Sequence, residues 1–131
     1  MVAYDEDAGV KKIMVVDDNP DNLDIFIHRL RALGNFEILI ASNGKQAVEV
    51  AERFRPNLVF MDVKMPIMDG YQATQALRET EWGKNLPIIA VTAYVPEEDR
   101  KKALSMGCSD FIPKPVLDYS VVRKAVERLL K

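Results

Sequence analysis

The amino-acid sequence predicts a single α/β domain in which a doubly wound parallel sheet of five strands is covered by five helices. Three observations lead to this fold class. Short apolar runs alternate five times with segments whose apolar residues recur at helical spacing. The central run, residues 58 to 61, is apolar without a break, as is typical of a strand buried on both faces. Polar residues follow the strands at the points where open parallel sheets bind ligands.

The first half of the chain is predicted to contain three strands and two helices. Residues 1 to 10 are polar and lack periodicity, so we expect a loose tail ahead of a domain spanning residues 11 to 131. Asn19 and Pro20 are typical of a helix start, and Gly34 is typical of a helix end. The predicted strands are residues 13–16, 36–41 and 58–61, and the helices between them carry apolar stripes of Leu23, Phe26, Ile27, Leu30 and Leu33, and of Ala47, Val48, Ala51 and Phe54.

The second half is predicted to contain three helices and two further strands. A helix from residue 71 to about residue 80 follows the central loop, and Pro96 and Gly107 mark the two ends of the next helix. Asp118 is expected to cap the last helix. The predicted strands are residues 88–91 and 110–112, and the core stripe of the last helix is Val122, Ala125, Val126 and Leu129.

Charge and composition argue against several classes of partner. The net charge of −2 gives no reason to expect binding to nucleic acid or to a membrane surface. No apolar run approaches the roughly 20 residues that span a bilayer, and the amino terminus lacks the features of a signal peptide. Cys108, the one cysteine, cannot form an internal disulfide, which fits a reducing compartment. We therefore expect a cytoplasmic protein.

Polar side chains follow four of the five predicted strands. They are Asp17 and Asp18 after the first strand, Asp62 after the third, Thr92 after the fourth and Lys114 after the fifth. Because the carboxyl ends of parallel strands lie at the same edge of a sheet, we expect these residues to converge. Crowded carboxylates repel one another, and a hard divalent cation such as Mg²⁺ relieves that repulsion. The sequence therefore predicts an oxygen-ligated metal at this edge.

One carboxylate of this group can act as a nucleophile toward phosphorus. Lys114 and Thr92, together with the cation, match the three outer oxygens of a transferring phosphoryl group. Asp62 would then form an aspartyl phosphate. It needs no general base, because a carboxylate is already ionised near pH 7. The predicted chemistry is phosphoryl transfer onto Asp62.

In this order and at these spacings, the motifs resemble the receiver domain of two-component response regulators. They are Asp17-Asp18, Asp62 with Met65-Pro66 and Asp69-Gly70, Thr92-Ala93, and Lys114-Pro115. The resemblance extends from about residue 12 to residue 130 and implies the flavodoxin-like strand order 2-1-3-4-5. It also implies a protein that is not an enzyme in the usual sense, but catalyses its own phosphorylation and slow dephosphorylation. Residues 17 to 22 are most similar to the receivers of hybrid kinases and phosphorelays.

The resemblance implies a role for each residue of the site. Asp18 and Asp62 would ligate Mg²⁺ or Mn²⁺ directly, and Asp17 would act largely through water. The backbone carbonyl of Lys64 would complete the protein ligands, and the backbone amides of Lys64 and Ala93 would contact the phosphoryl oxygens. The phosphoryl donor would be a phosphohistidine on a sensor histidine kinase or on a histidine phosphotransfer protein.

Phosphorylation is expected to change the face that meets a downstream partner. By the same resemblance, Thr92 moves toward the phosphoryl group and the ring of Phe111 turns inward behind it. The partner face is expected to comprise residues 96–106, 109–112 and 118–130. We further expect the bulky side chains of Lys64 and Tyr94 to shield the phosphoryl group from water and to slow its hydrolysis.

Three other functions are compatible with an α/β domain of this kind. A phosphorylation-independent interaction module would be favoured by loss of an acidic residue or of the lysine, and neither is lost. A flavin-binding protein would need a loop rich in Ser, Thr and Gly after the first strand, where Asp17 and Asp18 would repel phosphate. A hydrolase would need a second acid/base group beside Asp62, and none is evident in the sequence.

Overall fold

The computed structural model describes residues 10–93, 96–114, 116 and 118–130, with the side chains of 93, 96, 97 and 99 excepted. Strands and helices alternate through these ranges, as the sequence predicts. The elements are β1 Lys12–Val16, α1 Pro20–Arg31, β2 Glu37–Ala41, α2 Gly44–Phe54, β3 Leu58–Asp62, α3 Gly70–Arg78, β4 Ile88–Ala93, α4 Pro96–Ser105, β5 Asp110–Lys114 and α5 Ser120–Leu129. The predicted tail falls on residues 1–9, which lie outside the described ranges, and on residue 10.

The five strands form one parallel sheet in the order β2-β1-β3-β4-β5, which confirms the predicted order 2-1-3-4-5. The central strand β3 is paired on both sides, with Val59 opposite Met14 of β1 and Ile88 of β4. Every residue of β3 is buried. The uninterrupted apolar run of this strand therefore follows from burial on both faces of the sheet.

Successive side chains of β3 enter two separate cores, because neighbouring residues of a strand point to opposite faces. Val59 and Met61 pack in the core covered by α2, α3 and α4. Leu58 and Phe60 pack in the core covered by α1 and α5, where the Phe60 ring lies 4.9 Å from the ring of Phe26. Each large side chain that is fully buried in this way contributes about 1.5 to 3 kcal/mol.

Three helices begin at side-chain caps, of which the sequence predicts the one at Asn19. Asn19 accepts hydrogen bonds from the first turn of α1, and Asn43 accepts one from the first turn of α2. Asp69 and Gln72 form a reciprocal capping box at the start of α3. The prediction for α5 was wrong by one position: Tyr119 occupies the cap position without a side-chain hydrogen bond, and Asp118 instead accepts from the Ser120 amide at 2.9 Å.

Other differences from the predicted elements lie near element ends. Phe54, expected on the inner face of α2, is 38% exposed because it ends the helix, and the Arg53 guanidinium packs over its ring. Leu33 lies beyond the end of α1 and is exposed. Strand β5 continues through Pro113 to Lys114. Proline lacks a backbone N–H, and it is tolerated here because β5 is an edge strand with a neighbouring strand on one side only.

Within the described ranges, no helix combines the length and the apolar character that crossing a membrane would require.

Candidate functional site

The carboxyl edge of the sheet brings together four of the predicted residues. Asp17 follows β1, Asp62 ends β3, Thr92 lies next to last in β4 and Lys114 ends β5. The ammonium Nζ of Lys114 lies 3.2 Å from Asp17 Oδ2 and 3.1 Å from Asp62 Oδ1. Residues 97 positions apart in the sequence are thus in direct contact, because parallel strands place all their carboxyl ends at this edge.

Asp18 completes an acidic cluster with these two aspartates. Asp17, Asp18 and Asp62 each place a carboxylate oxygen within 4.8 Å of the other two. Asp17 and Asp62 are buried, whereas Asp18 is exposed. Three carboxylates at this spacing form a set of hard oxygen donors that fits Mg²⁺, which keeps several water ligands and takes few protein ligands.

The two buried carboxylates differ in which oxygens are occupied. Asp17 Oδ1 accepts the backbone amide of Asn19 at 2.9 Å, and its Oδ2 faces Lys114, so both oxygens are engaged. Asp62 Oδ1 accepts the amide of Val63 at 2.9 Å and also faces Lys114. Among the interactions of the described residues, both contacts to the Asp62 carboxylate go to Oδ1, which leaves Oδ2 for another ligand.

Burial and charge shift the proton affinities of this pair in known directions. Burial, helped to a smaller extent by the charge of Asp17, raises the pKa of Asp62 to about 6, although the attraction and hydrogen bond of Lys114 oppose this shift. For Lys114, burial alone favours the neutral amine, but the combined attraction of Asp62 and Asp17 raises its pKa above the ordinary value. Lys114 is therefore a fixed positive charge between two carboxylates.

The loop after β3 returns tightly against Asp62. The Gly70 amide donates to the Val63 carbonyl at 2.8 Å. A Cβ atom at position 70 would overlap the backbone carbonyl of Asp62, so only glycine allows this approach. The Asp69-Gly70 motif thus has a structural reason: Asp69 caps α3, and Gly70 allows the loop to pack against the backbone of Asp62.

A strained residue that the residue types do not predict lies in the same loop. Ile67 has φ +72°, and the Met68 amide donates to the Pro66 carbonyl at 2.8 Å across it, which makes a γ-turn. Such a conformation in a β-branched residue costs about 1 to 3 kcal/mol. Nothing in the sequence predicts this turn, since isoleucine normally argues against positive φ.

The remaining predicted residues occupy different environments. Lys64 is exposed in the loop after β3, and Thr92 is buried. Phe111 pairs with Ala90 across β4 and β5, and Thr92 pairs with Pro113. Because residues two apart in a strand share a face, Thr92 and Phe111 lie on the same side of the sheet in neighbouring strands. The backbone of Ala93 pairs with Lys114, while Tyr94 and Pro115 lie outside the described residues.

A doubly wound sheet that gathers three acids and a lysine at its carboxyl edge defines a class of α/β proteins, the receiver domains. Comparison with known families agrees, since residues 13–127 match the family model described as the response regulator receiver domain. The chain belongs to this family, and it is a receiver domain of two-component signalling.

The chain is also similar to individual proteins and to solved structures. The chain is 33% identical to the polar-differentiation response regulator DivK of Brucella anthropi over 81% of this chain and 85% of that protein. It is 42% identical to a 14.6 kDa protein of Leptolyngbya boryana over 85% of this chain and 84% of the relative. Among solved structures, the receiver domain of sensor histidine kinase PA1611 from Pseudomonas aeruginosa PAO1 is 35% identical with a TM-score of 0.84, covering 93% of this chain and 98% of that one. That structure has a magnesium ion coordinated in its active site cleft.

Proposed function

We propose that Asp62 accepts a phosphoryl group from the phosphohistidine of a partner protein, and that the domain catalyses this transfer itself. An oxygen of Asp62 forms a bond to phosphorus while the P–N bond to the histidine breaks, and the electron pair stays on the histidine nitrogen. The observation that carries the proposal is the position of Lys114, whose ammonium lies 3.1 Å from Asp62 and 3.2 Å from Asp17. Among the described residues, no other ion pair connects strands at this edge of the sheet.

The donor set supports Mg²⁺ or Mn²⁺ as the cofactor. Asp18 and Asp62 would ligate it directly with the backbone carbonyl of Lys64, and Asp17 would act through water. The indirect role of Asp17 fits its hydrogen bonding, because both of its oxygens already face donors from Asn19 and Lys114. The cation, when bound, supplies positive charge that offsets the negative charge of the phosphoryl oxygens.

The chain's own groups then stabilise the transferred phosphoryl group. The ammonium of Lys114 already lies beside Asp62, so it can move its contact from the carboxylate to a phosphoryl oxygen as the negative charge develops there. The hydroxyl of Thr92 and the backbone amides of Lys64 and Ala93 would donate to the other oxygens. A carboxyl pKa of about 6 leaves Asp62 mostly ionised at pH 7, as a nucleophile requires.

We propose that the signal leaves through the edge of the sheet at β5. Thr92 and Phe111 lie on the same face of neighbouring strands. When the Thr92 hydroxyl moves toward the phosphoryl group, it would leave space into which the Phe111 ring turns. The affected surface comprises residues 96–106, 109–112 and 118–130, which meet a downstream protein. Lys64, exposed beside the site, and Tyr94 would shield the phosphoryl group from water.

Intact-mass measurement after incubation with phosphoramidate, with and without Mg²⁺, tests the proposal. We expect the wild-type chain to gain one phosphoryl group only with Mg²⁺, and Asp62→Asn to gain none. Asp110→Asn is the matched control, because Asp110 begins β5 at the opposite edge and pairs with Arg128. A wild-type chain that stays unmodified under all conditions would contradict the proposal and favour a phosphorylation-independent interaction module.

A further inference from the structure

One large apolar side chain stands out from the surface of the described residues. Ile67 is 78% exposed, whereas the next most exposed large hydrophobic residue, Ile40, is 51% exposed. Ile67 also has φ +72°, a conformation that glycine or asparagine adopts far more readily than a β-branched residue. This position therefore combines two unfavourable features, strain in the backbone and apolar surface in water.

The loop around Ile67 is fixed by the backbone, so the side chain is not needed to hold it. The Gly44 amide at the start of α2 donates to the Met68 carbonyl at 2.8 Å, and the Gly70 amide donates to the Val63 carbonyl at 2.8 Å. A Cβ atom at position 44 would overlap the backbone of Met68, which shows how closely α2 packs on the loop. The fold of the loop therefore does not require isoleucine at position 67, and the presence of this side chain needs a different explanation.

The position of Ile67 relative to Asp62 supplies that reason. Ile67 is three residues from Gly70, which contacts the Asp62 backbone, so the two Cα atoms of Ile67 and Gly70 are at most about 11 Å apart. A protein interface of ordinary size covers about 800 Å² on each partner, which corresponds to a disc of about 16 Å radius. The footprint of a protein that brings a histidine to Asp62 is therefore wide enough to reach Ile67.

We propose that Ile67 is a docking anchor that inserts into an apolar patch beside the histidine of the phosphodonor protein. This inference rests on the proposed function and adds the side chain that selects the protein donor. The isoleucine touches neither the phosphoryl group nor Asp62 in the transfer, so it acts on the affinity for the donor and not on the chemical step. The apolar surface that is unfavourable in the free domain becomes buried when the donor binds.

Phosphotransfer kinetics with two kinds of donor test this role. The protein donor is any purified, autophosphorylated histidine kinase fragment that phosphorylates the wild type, and the small donor is phosphoramidate. We expect Ile67→Asn and Ile67→Gly to raise KM for the protein donor about tenfold and Ile67→Val about twofold, with kcat and the phosphoramidate rate unchanged. The urea midpoint should rise for Ile67→Gly, because glycine relieves the positive φ.

Leu33→Asn is the matched control. Leu33 is 36% exposed just beyond the end of α1, which runs from the carboxyl edge of the sheet to the amino edge, so its substitution should not affect KM for the donor. An unchanged KM in Ile67→Asn would overturn the inference. So would an equal loss with phosphoramidate, which would mean that Ile67 only shapes the loop, or a wild-type dimer that Ile67→Asn dissociates without changing KM. If the wild type gains no phosphoryl group from phosphoramidate, the proposed function itself has failed.

Discussion

The two edges of the parallel sheet are built on different physical terms. At the amino edge, loops are held by hydrogen bonds from a single arginine to several backbone carbonyls. At the carboxyl edge, three carboxylates lie within 4.8 Å of one another with one ammonium between two of them. The first arrangement lowers the free energy of the folded state, whereas the second raises it and creates a reactive group. Stability and chemistry are thus assigned to opposite ends of the same strands.

Arg78 is the centre of the amino edge. Its Nε donates to the Gly107 carbonyl at 2.8 Å, and its Nη1 donates to the carbonyls of Gly83 at 2.7 Å and Leu86 at 2.6 Å. These bonds join the end of α3 to the loop before β4 and to the turn before β5. A planar guanidinium suits this position because it presents several donors in a fixed geometry.

Each edge also contains a non-glycine residue with positive φ, and these two are the only ones in the described part of the chain. Arg55, with φ 53°, ends α2 at the amino edge and places its guanidinium 4.4 Å from the centre of the Trp82 ring. Ile67 at the carboxyl edge leaves its side chain in solvent. The strain at Arg55 is therefore offset within the domain, while the strain at Ile67 has no such offset in the free domain.

The largest expected effect comes from breaking the amino edge. Arg78→Ala should destabilise the domain by about 3 to 5 kcal/mol, because it removes charged hydrogen bonds and leaves carbonyls without a donor. Urea unfolding measures this change. Phosphorylation of the folded protein by phosphoramidate should be unaffected. Arg128→Ala is the control, since it removes only an exposed ion pair with Asp110, and a loss comparable to that of Arg78→Ala would refute the assignment.

The opposite result is expected at the carboxyl edge. The Asp62 pKa is about 6 in the folded domain, above its ordinary value of 3.8, so the folded state binds the extra proton between these values. The stability from this proton is fully present below about pH 4 and is lost as the pH rises through 6. Asp62→Asn removes the buried charge. In metal-free buffer it should therefore stabilise the domain by up to about 3 kcal/mol at pH 7 and hardly at all at pH 4.

Urea unfolding at a series of pH values with a chelator present measures this difference. The wild-type and Asp62→Asn curves should converge toward pH 4, separate as the pH rises from about 4 to 6, and run parallel above pH 6. Asp110→Asn should give a curve parallel to that of the wild type, because Asp110 lies in an exposed ion pair at the other edge. Parallel curves for Asp62→Asn and wild type would mean that burial of Asp62 carries no stability cost.

The sequence predicts most of the fold, because strand burial and helix capping are local signals. The unbroken run from Leu58 to Met61 and the cap at Asn19 each identify an element from a few neighbouring residues. The ends of elements are less predictable, as Phe54 shows: its helical spacing suits the core, yet the helix ends there and leaves the ring exposed. Whether a terminal residue is buried depends on where the chain turns, which is a tertiary effect.

For the site, the sequence predicts which residues meet but not how they are held. Asp17, Asp62 and Lys114 follow strands, and strand ends of a parallel sheet must converge. Loop geometry decides that both contacts of the Asp62 carboxylate go to Oδ1. It also decides that the Asn19 amide donates to Asp17. The turn at Ile67 could not be predicted because its residue type contradicts its conformation.

The smallest expected effect separates the two positive-φ residues. Arg55→Ala keeps the strained backbone but loses the contact with Trp82 and the exposed hydrogen bond from Nε to the Glu52 carbonyl, so it should destabilise the domain by about 0.5 to 1 kcal/mol. Arg55→Gly loses the same contact but relieves the backbone, so it should return stability to about the wild-type value. Trp82 is the one tryptophan of the chain, so its fluorescence reports the lost contact directly, while urea midpoints report the stability.

The same pair of substitutions at Ile67 should behave differently, because no contact is lost there in the free domain. Ile67→Ala should leave stability near the wild-type value, and Ile67→Gly should raise it by about 1 kcal/mol. The glycine variant should then be more stable than the alanine variant by a similar free energy of unfolding at both edges. At Arg55 both variants should be less stable relative to the wild type than at Ile67, because both lose the contact with Trp82. If Arg55→Gly proved as stabilising as Ile67→Gly, the guanidinium on Trp82 would contribute nothing, and the strain at the two edges would be equally without compensation.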